Sequence, residues 1–417
     1  MMNNKAGTLR TETKARTPTF VCLASYFKGA EFMRECKRQN ARVILVTKER
    51  LLHEDWPRES LDDIVALPND ASPELYTYVV SQIARPQKID RIVALEEFDV
   101  ITAGIIREHL CLNGMTSTTA RVFRDKLSMR VKARAAGIRV PDFVHVLNYD
   151  ELRDYMSRVP SPWVLKPRSD VSAVGIKKLD ESEQVWRAID TLDARDIMRE
   201  RSPYYLLERY VAGDVFHVDS LVNNGKVIFA GVNAYGRPPM DVAHQGGVFI
   251  SRTARHNSED QRKLLKLNRN LIAALGLTHG AAHAEFIKSA EDGEFYFLEI
   301  AARVGGAYIA EALEAASGIN IWSEWARIEM ACDDGSYKLP ATRKEYGGIV
   351  LSLARQEYPD TNAYTDEEIV YRVRKRHHVG LVVRSAKLER VEELLDQYAR
   401  RFSEEFTAIA PPLERAE

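Results

Sequence analysis

The chain has little of what would announce several large classes of function. Its 4 cysteines, Cys22, Cys36, Cys111 and Cys332, are far apart. They form neither a CxxC motif nor a dense disulfide framework, so reduced thiols in a cytoplasmic protein are expected. Neither sign of charge dominates, with 59 Lys+Arg against 60 Asp+Glu and a formal net charge of -1. That balance argues against nucleic acid or an anionic membrane as the main partner. No apolar run is long enough to cross a bilayer. The opening "MMNNKAGTLRTETKARTPT" lacks an apolar core, so no secretory leader is expected. There are no internal repeats and no low-complexity tract. The first strand-to-helix loop, "ASYFKGAEF", lacks GxGxxG and is not read as a dinucleotide site.

What is present is enough chain, 417 residues, for two or three domains. Residues 1–17 read as a disordered tail. From 18 to 118, "TFVCLASY", "ARVILVT", "DDIVALP" and "IDRIVAL" alternate with helical stretches, which predicts a parallel α/β domain. "TTARVFRDKLSMRVKARAAGIRVP" reads as one long basic helix ending at Gly137 and Pro141. It opens a second domain, 119–335, which contains a small α+β lid at about 141–205 and then antiparallel strands. Residues 336–417 read as a C-terminal α+β subdomain.

"HAEFIKSAEDGEFYFLEIAARVGG", His283 to Gly306, reads as a hairpin around Glu291-Asp292-Gly293, with the glycine left-handed. Counting outward, Glu285 falls opposite Glu299 on one face, while Phe286, Leu298 and Ile300 face the core. Opposed carboxylates about 5 Å apart repel by about 3 kcal/mol at an effective dielectric near 20. A shared proton, a basic neighbour such as Arg303, or a hard divalent cation would offset this. The alternative is a solvated face from which both acids splay. "WVLKPRSDVSAVGIKKL" puts Lys166 at the end of an apolar strand before a small-residue turn able to cradle phosphates. Many strands end in "KP" without that role.

The order of the pieces carries a resemblance. "FRDKLSMRVKARAAGIRVP", "WVLKPRSDVSAVGIKKL", "LLERYVAGDVFHVDSLV", "HAEF" and "FLEIAARVGG" follow one another as in the ATP-grasp superfamily, and are similar to its carboxylate–amine ligases, the L-amino acid ligase branch in particular. The resemblance implies ATP and Mg2+ (or Mn2+) as cofactors. It implies that Lys126, Lys166, Ser172 and Gly175 lie at the phosphates, that Glu208 and the backbone at Val211 read the adenine edge, and that Asp214 meets the ribose, since Val215 stands where relatives carry glutamate. Glu285 and Glu299 would hold metal, and Arg303 would stabilise the transferred phosphoryl group. Ala301 replaces the asparagine that many relatives use as a further metal ligand.

Residues bordering the substrates would include His283, Gly305 and Gly306, with His244 and Arg252 from the loop "DVAHQGGVFISRT"; an ordinary connecting loop is the alternative there. Glu96 and Glu97 end a parallel strand, where open sheets place ligands. Acids stabilising a helix dipole would look the same. The implied reaction is ADP-forming ligation of a small acid to an amine through an acyl phosphate, by a chain that self-associates as a homodimer. A biotin-carboxylase-like enzyme and a noncatalytic nucleotide binder are the rival readings.

Overall fold

The computed structural model describes residues 16–169, 175–196, 204–238, 242, 247–332 and 335–408, with the side chains of 192–196 excepted. The expected tail, Ser172 and His244 therefore fall outside the described residues, apart from Arg16 and Thr17 at the end of that tail.

Strands β1 (Thr19–Ala24), β2 (Arg42–Lys48), β3 (Asp63–Leu67) and β4 (Arg91–Ala94) form a parallel sheet in the order β3-β2-β1-β4. All six residues of β1 are buried, because both faces of the sheet are covered. Val21, Leu23, Ile44 and Val46 enter one core cluster, while Phe20, Cys22, Val43 and Leu45 enter another. Helices α1 (Ala30–Arg38), α2 (Pro73–Ala84) and α3 (Val100–His109) connect the strands. Strand order reverses between β1 and β4, and a crevice opens beyond the carboxyl ends of such neighbours. Lys28 follows β1 there, and Glu96 and Glu97 follow β4.

The basic segment expected as one helix is two, α4 (Ser117–Val122) and α5 (Lys126–Ala135). Asp125 breaks it by capping the second: its carboxylate accepts from the backbone N–H of Leu127 at 3.0 Å and of Ser128 at 3.4 Å. Phe123 is buried at the joint. Lys126 thus starts a helix instead of lying mid-way along one.

A small antiparallel sheet follows: β5 (Phe143–His145), β6 (Trp163–Pro167), β7 (Lys177–Leu179) and β8 (Tyr205–Arg209), in the order β5-β8-β6-β7. Its helices, α6 (Tyr149–Arg158) and α7 (Ser182–Asp196), help to build a core with Trp163, Leu165 and Leu207. Period-2 alternation turns Val164, Lys166 and Glu208 to the opposite face.

The third sheet has eight strands in the order β13-β12-β9-β10-β11-β14-β16-β15. They are β9 (Gly213–Asn223), β10 (Lys226–Tyr235), β11 (Phe249–Thr253), β12 (Gly280–Ser289), β13 (Phe295–Ala301), β14 (Tyr346–Leu353), β15 (Ile369–Arg372) and β16 (His378–Ser385). Helices α8 (Glu259–Leu275), α9 (Ile309–Ser317), α10 (Ile321–Ala331) and α11 (Leu388–Glu405) complete the chain's regular structure among the described residues.

In the β12–β13 hairpin Glu285 pairs directly with Glu299. The route to that register differs from the expected one. Ser289 N–H donates to Glu294 O at 2.9 Å, so the connection spans Ala290 to Gly293 and is one residue longer. Gly293 is left-handed, φ 71°. A bulge between Glu285 and Phe286 then restores the pairing. Its cost falls on Leu298, which was expected in the core but is only half-buried and lines the main cavity. Phe286 and Ile300 are buried as expected.

Candidate active site

A cavity of about 520 Å³ lies where the three sheets converge. Its walls bring together Lys126, Lys166, Glu208, Val211, His283, Glu285, Glu299, Arg303 and Gly306 from the sequence-derived set. Lys28, Tyr235, Val215, Phe249, Leu298 and Ala307 join them.

Lys126 Nζ lies 3.1 Å from Glu299 Oε2. Burial alone would raise the Glu299 pKa, but Lys126 and then Lys166 hold it down at about 2. Lys166 forms an ion pair with Glu208, and Glu208 is also gripped by Arg130, whose Nη2 donates at 3.2 Å. Burial pulls the Lys166 pKa down to about 8 against the opposing pull of Glu208. The Glu208 carboxyl is disfavoured as an anion by burial, yet Arg130 and Lys166 keep it below the usual range. Arg303 donates to Glu97 Oε2 from Nε at 3.1 Å and from Nη2 at 2.8 Å, and Glu97 also takes a bond from Arg124. Burial opposes the Arg303 charge; Glu97 and Glu96 more than restore it. Glu97 is therefore the buried partner that aims Arg303, and Glu96 pairs with Lys28 at 3.1 Å.

Behind Glu285 lies a buried polar chain. Tyr235 OH donates to Glu285 Oε1 at 2.7 Å, and His283 Nε2 lies 3.3 Å from the same oxygen. His283 Nδ1 is 2.8 Å from Asp219 Oδ1, and His217 Nδ1 is 2.7 Å from Asp219 Oδ2. Burial would lower the His283 pKa, but Asp219 and Glu285 raise it to about 9. Gly305 is pressed against this chain: a Cβ there would sit 2.8 Å from Asp219 Oδ1 and 3.1 Å from His283 Nδ1. Ala307 and Tyr308, at the start of α9, both have positive φ, 51° and 59°, an uncommon strain beside a cavity wall.

Besides Gly305, Glu96 and Glu97, which act through the partners just described, three described sequence-derived positions stand apart from the lining. Asp214 is exposed, because β9 alternates and it is Gly213 and Val215 that face the cavity. Arg252 is turned away by the same alternation on β11: Phe249 faces the cavity, while Arg252 Nη2 pairs with Glu392 of α11 at 2.8 Å. Gly175 is not on the wall, but Ile176 is; Gly175 has φ 72°, and a Cβ there would meet Pro167 Cγ at 3.0 Å. Conversely, Lys28, Tyr235, Arg130, His217 and Asp219 were not singled out from the sequence. Only Arg130 left a signal, one helical turn after Lys126 on the same helix.

Residues 159–311 match the family model for the ATP-grasp domain, a span that holds Lys166, Glu208, Glu285, Glu299 and Arg303. That span is an ATP-grasp domain. The chain is 25% identical over 257 residues to the L-arginine-specific L-amino acid ligase of Bacillus subtilis. That match covers 60% of this chain and spans 60% of the relative's own length. An L-amino acid ligase structure from Bacillus licheniformis superposes with TM-score 0.72 at 18% identity, covering 94% of this chain and 99% of that one. N5-carboxyaminoimidazole synthetase from Staphylococcus aureus, complexed with ADP, superposes with TM-score 0.69 at 13% identity, covering 92% and 96%. These likenesses establish the ATP-grasp fold over nearly the whole chain.

The donor set suits the nucleotide and its metal. Two carboxylates paired on one sheet face offer hard oxygen ligands, and two lysines offer phosphate charges beside them. No described helix is long and apolar enough to cross a membrane.

Proposed function

We propose that the protein is an ATP-dependent, ADP-forming ligase joining a small carboxylic acid to an amine, with amino acids as the substrate class. One observation carries the reading: Glu285 and Glu299 face each other on the wall of a cavity that Lys126, Lys166 and Arg303 also line. Like charges paired beside three cations make a poor structural device and a good receptor for a metal–triphosphate. The similarity to an L-arginine-specific L-amino acid ligase supports amino acids as substrates.

Each residue then has a physical task. Glu285 and Glu299 would hold Mg2+, whose charge would neutralise the terminal phosphates. Lys126, at the first turn of its helix, and Lys166 on β6 approach the phosphates from two elements. Glu208 and the backbone at Val211 border the adenine. Arg303, aimed by Glu97, stabilises the oxygen charge that develops as the acid takes the phosphoryl group. The amine then displaces phosphate from the acyl phosphate, and the small α+β sheet with its helices keeps water away.

The test is an ADP-release screen over pairs of amino acids with ATP and Mg2+. Release that requires both an acid and an amine supports the reading. Release that needs biotin and bicarbonate but no amine would replace it with a carboxylase. Calorimetric ATP binding with no ADP from any pair would replace it with a noncatalytic binder.

A further inference from the structure

His217, Asp219 and His283 are buried, and each offers a ligand atom within 4.8 Å of the others. Considered alone, the trio looks like a metal site. Its hydrogen bonds give it a different task. A carboxylate has only acceptors, so both imidazoles present Nδ1–H to Asp219, one to each oxygen, at 2.7 and 2.8 Å. The far nitrogen of His217 lies 2.7 Å from Ser251 Oγ. Asn233 Nδ2 adds a third bond to Asp219, at 3.2 Å. The atoms that would ligate a metal are thus spent on one another, and the chain has one outlet, His283 Nε2, 3.3 Å from Glu285 Oε1.

Tyr235 reaches the same oxygen from β10, with its hydroxyl 2.7 Å away. Among the described residues no hydrogen bond reaches Oε2 of Glu285. The carboxylate is therefore fastened by one oxygen, from two strands, and presents the other to the cavity. A glutamate has three side-chain torsions to fix before it can coordinate an ion, and fixing them in advance removes that entropy from binding.

We propose that Tyr235 and the chain Ser251–His217–Asp219–His283 are positioning residues that hold Glu285 by Oε1 so that Oε2 meets the metal of the metal–nucleotide. This rests on the reading of Glu285 as a metal ligand. Outer partners of ligating groups typically change metal affinity by about 10–100-fold when removed. The geometry spans β9, β10, β11 and β12, so it couples the metal ligand to the centre of the large sheet. Gly305 belongs to the device, since any side chain at that point would push Asp219 and His283 out of line.

The experiment titrates Mn2+, followed by its electron paramagnetic resonance, onto the full chain with a non-hydrolysable ATP analogue. Wild type is compared with Tyr235→Phe, Asp219→Asn and Glu285→Gln, and analogue affinity is also measured without metal. Tyr235→Phe and Asp219→Asn should each weaken Mn2+ by roughly 10–100-fold while metal-free analogue affinity stays within about twofold. Wild-type Mn2+ affinity in both variants, with Glu285→Gln impaired, would overturn the positioning role and leave the metal ligand standing. Unimpaired Mn2+ binding by Glu285→Gln would remove the ligand assignment and this proposal with it. Should Asp219→Asn not fold, Tyr235→Phe decides alone, because it deletes one hydroxyl at the cavity wall and keeps the ring.

Discussion

Lys126 and Glu299 meet across the main cavity at 3.1 Å, joining the first turn of α5 to β13. Without nucleotide, the lysine is the countercharge that lets the second glutamate stay ionised beside Glu285. Under the proposed function Glu299 would face a metal ion once ATP is bound, and Lys126 would be free to turn toward phosphate. The contact is therefore an exchange point as much as a structural bond.

If Glu299 is a metal ligand, Glu299→Gln should lose ADP release by roughly 10²-fold or more, since it removes an anionic ligand of the cation that would neutralise the transferring group. Its fold should survive, because the side chain is 38% exposed and no core atom is lost. Steady-state ADP assays with circular dichroism check both halves. Wild-type turnover in this variant would end the assignment of metal to the hairpin.

Arg130 and Glu208 are buried to 0% and 2% exposure and bonded to each other. Removing one member of such a pair leaves an uncompensated charge and costs about 3–5 kcal/mol. Lys166 also contacts Glu208 and will soften the loss. Arg130→Met should therefore cost about 3 kcal/mol in urea unfolding, at the lower end of that range. A loss below about 1 kcal/mol would mean that Arg130 is dispensable for stability.

How far the sequence spoke for this site depends on the distance between partners. Glu285 and Glu299 are fourteen residues apart in one hairpin, and strand period alone puts them face to face. That count misplaced the turn by one residue, and the bulge at Glu285/Phe286 cancelled the error; only Leu298 exposed it. Lys166 and Glu208 were visible as strand-end charges. Tyr235, Lys28 and Asp219 were silent because partners such as Glu285, Glu96 and His283 lie on or just after other strands of the same sheet, far along the chain. Tyr235 closes on Glu285 over fifty positions, and Arg303 on Glu97 over 206. Asp214 and Arg252 failed for one shared reason, that strand parity cannot be assigned without knowing which face of the sheet is covered.

That parity argument supplies its own control. Arg252 pairs with Glu392 on a partly exposed surface, and such pairs contribute about 0–1 kcal/mol. Arg252→Ala should keep ATP-dependent ADP release and KM at wild-type values. Gly305→Ala should do the opposite. Its methyl group would stand 2.8 Å from Asp219 Oδ1, and a displacement of about 1 Å at a reacting site can cost roughly 10²-fold in rate. Kinetics on the two variants, side by side, test whether the Arg252 face of β11 stands apart from the cavity while the loop at Gly305 serves it.

Lys166 offers a test that needs no turnover. Burial lowers its pKa to about 8, opposed by Glu208, whereas in the unfolded chain it titrates near 10.4, as lysine usually does. Between these values the unfolded chain holds the proton and the folded chain has released it. Stability from this group therefore rises with pH across about 8 to 10.4, and the penalty is complete below 8. Phosphates placed beside Lys166 reverse the balance by favouring the ammonium, so ATP binding near pH 8.5 should take up protons. Calorimetry of ATP binding in two buffers of different ionisation enthalpy reads that uptake directly. The heats should differ between buffers at pH 8.5 for wild type and agree for Lys166→Arg, whose guanidinium stays protonated. Equal wild-type heats in both buffers at pH 8.5 would mean that the nucleotide phosphates do not approach Lys166, and the strand-end lysine would then serve Glu208 alone.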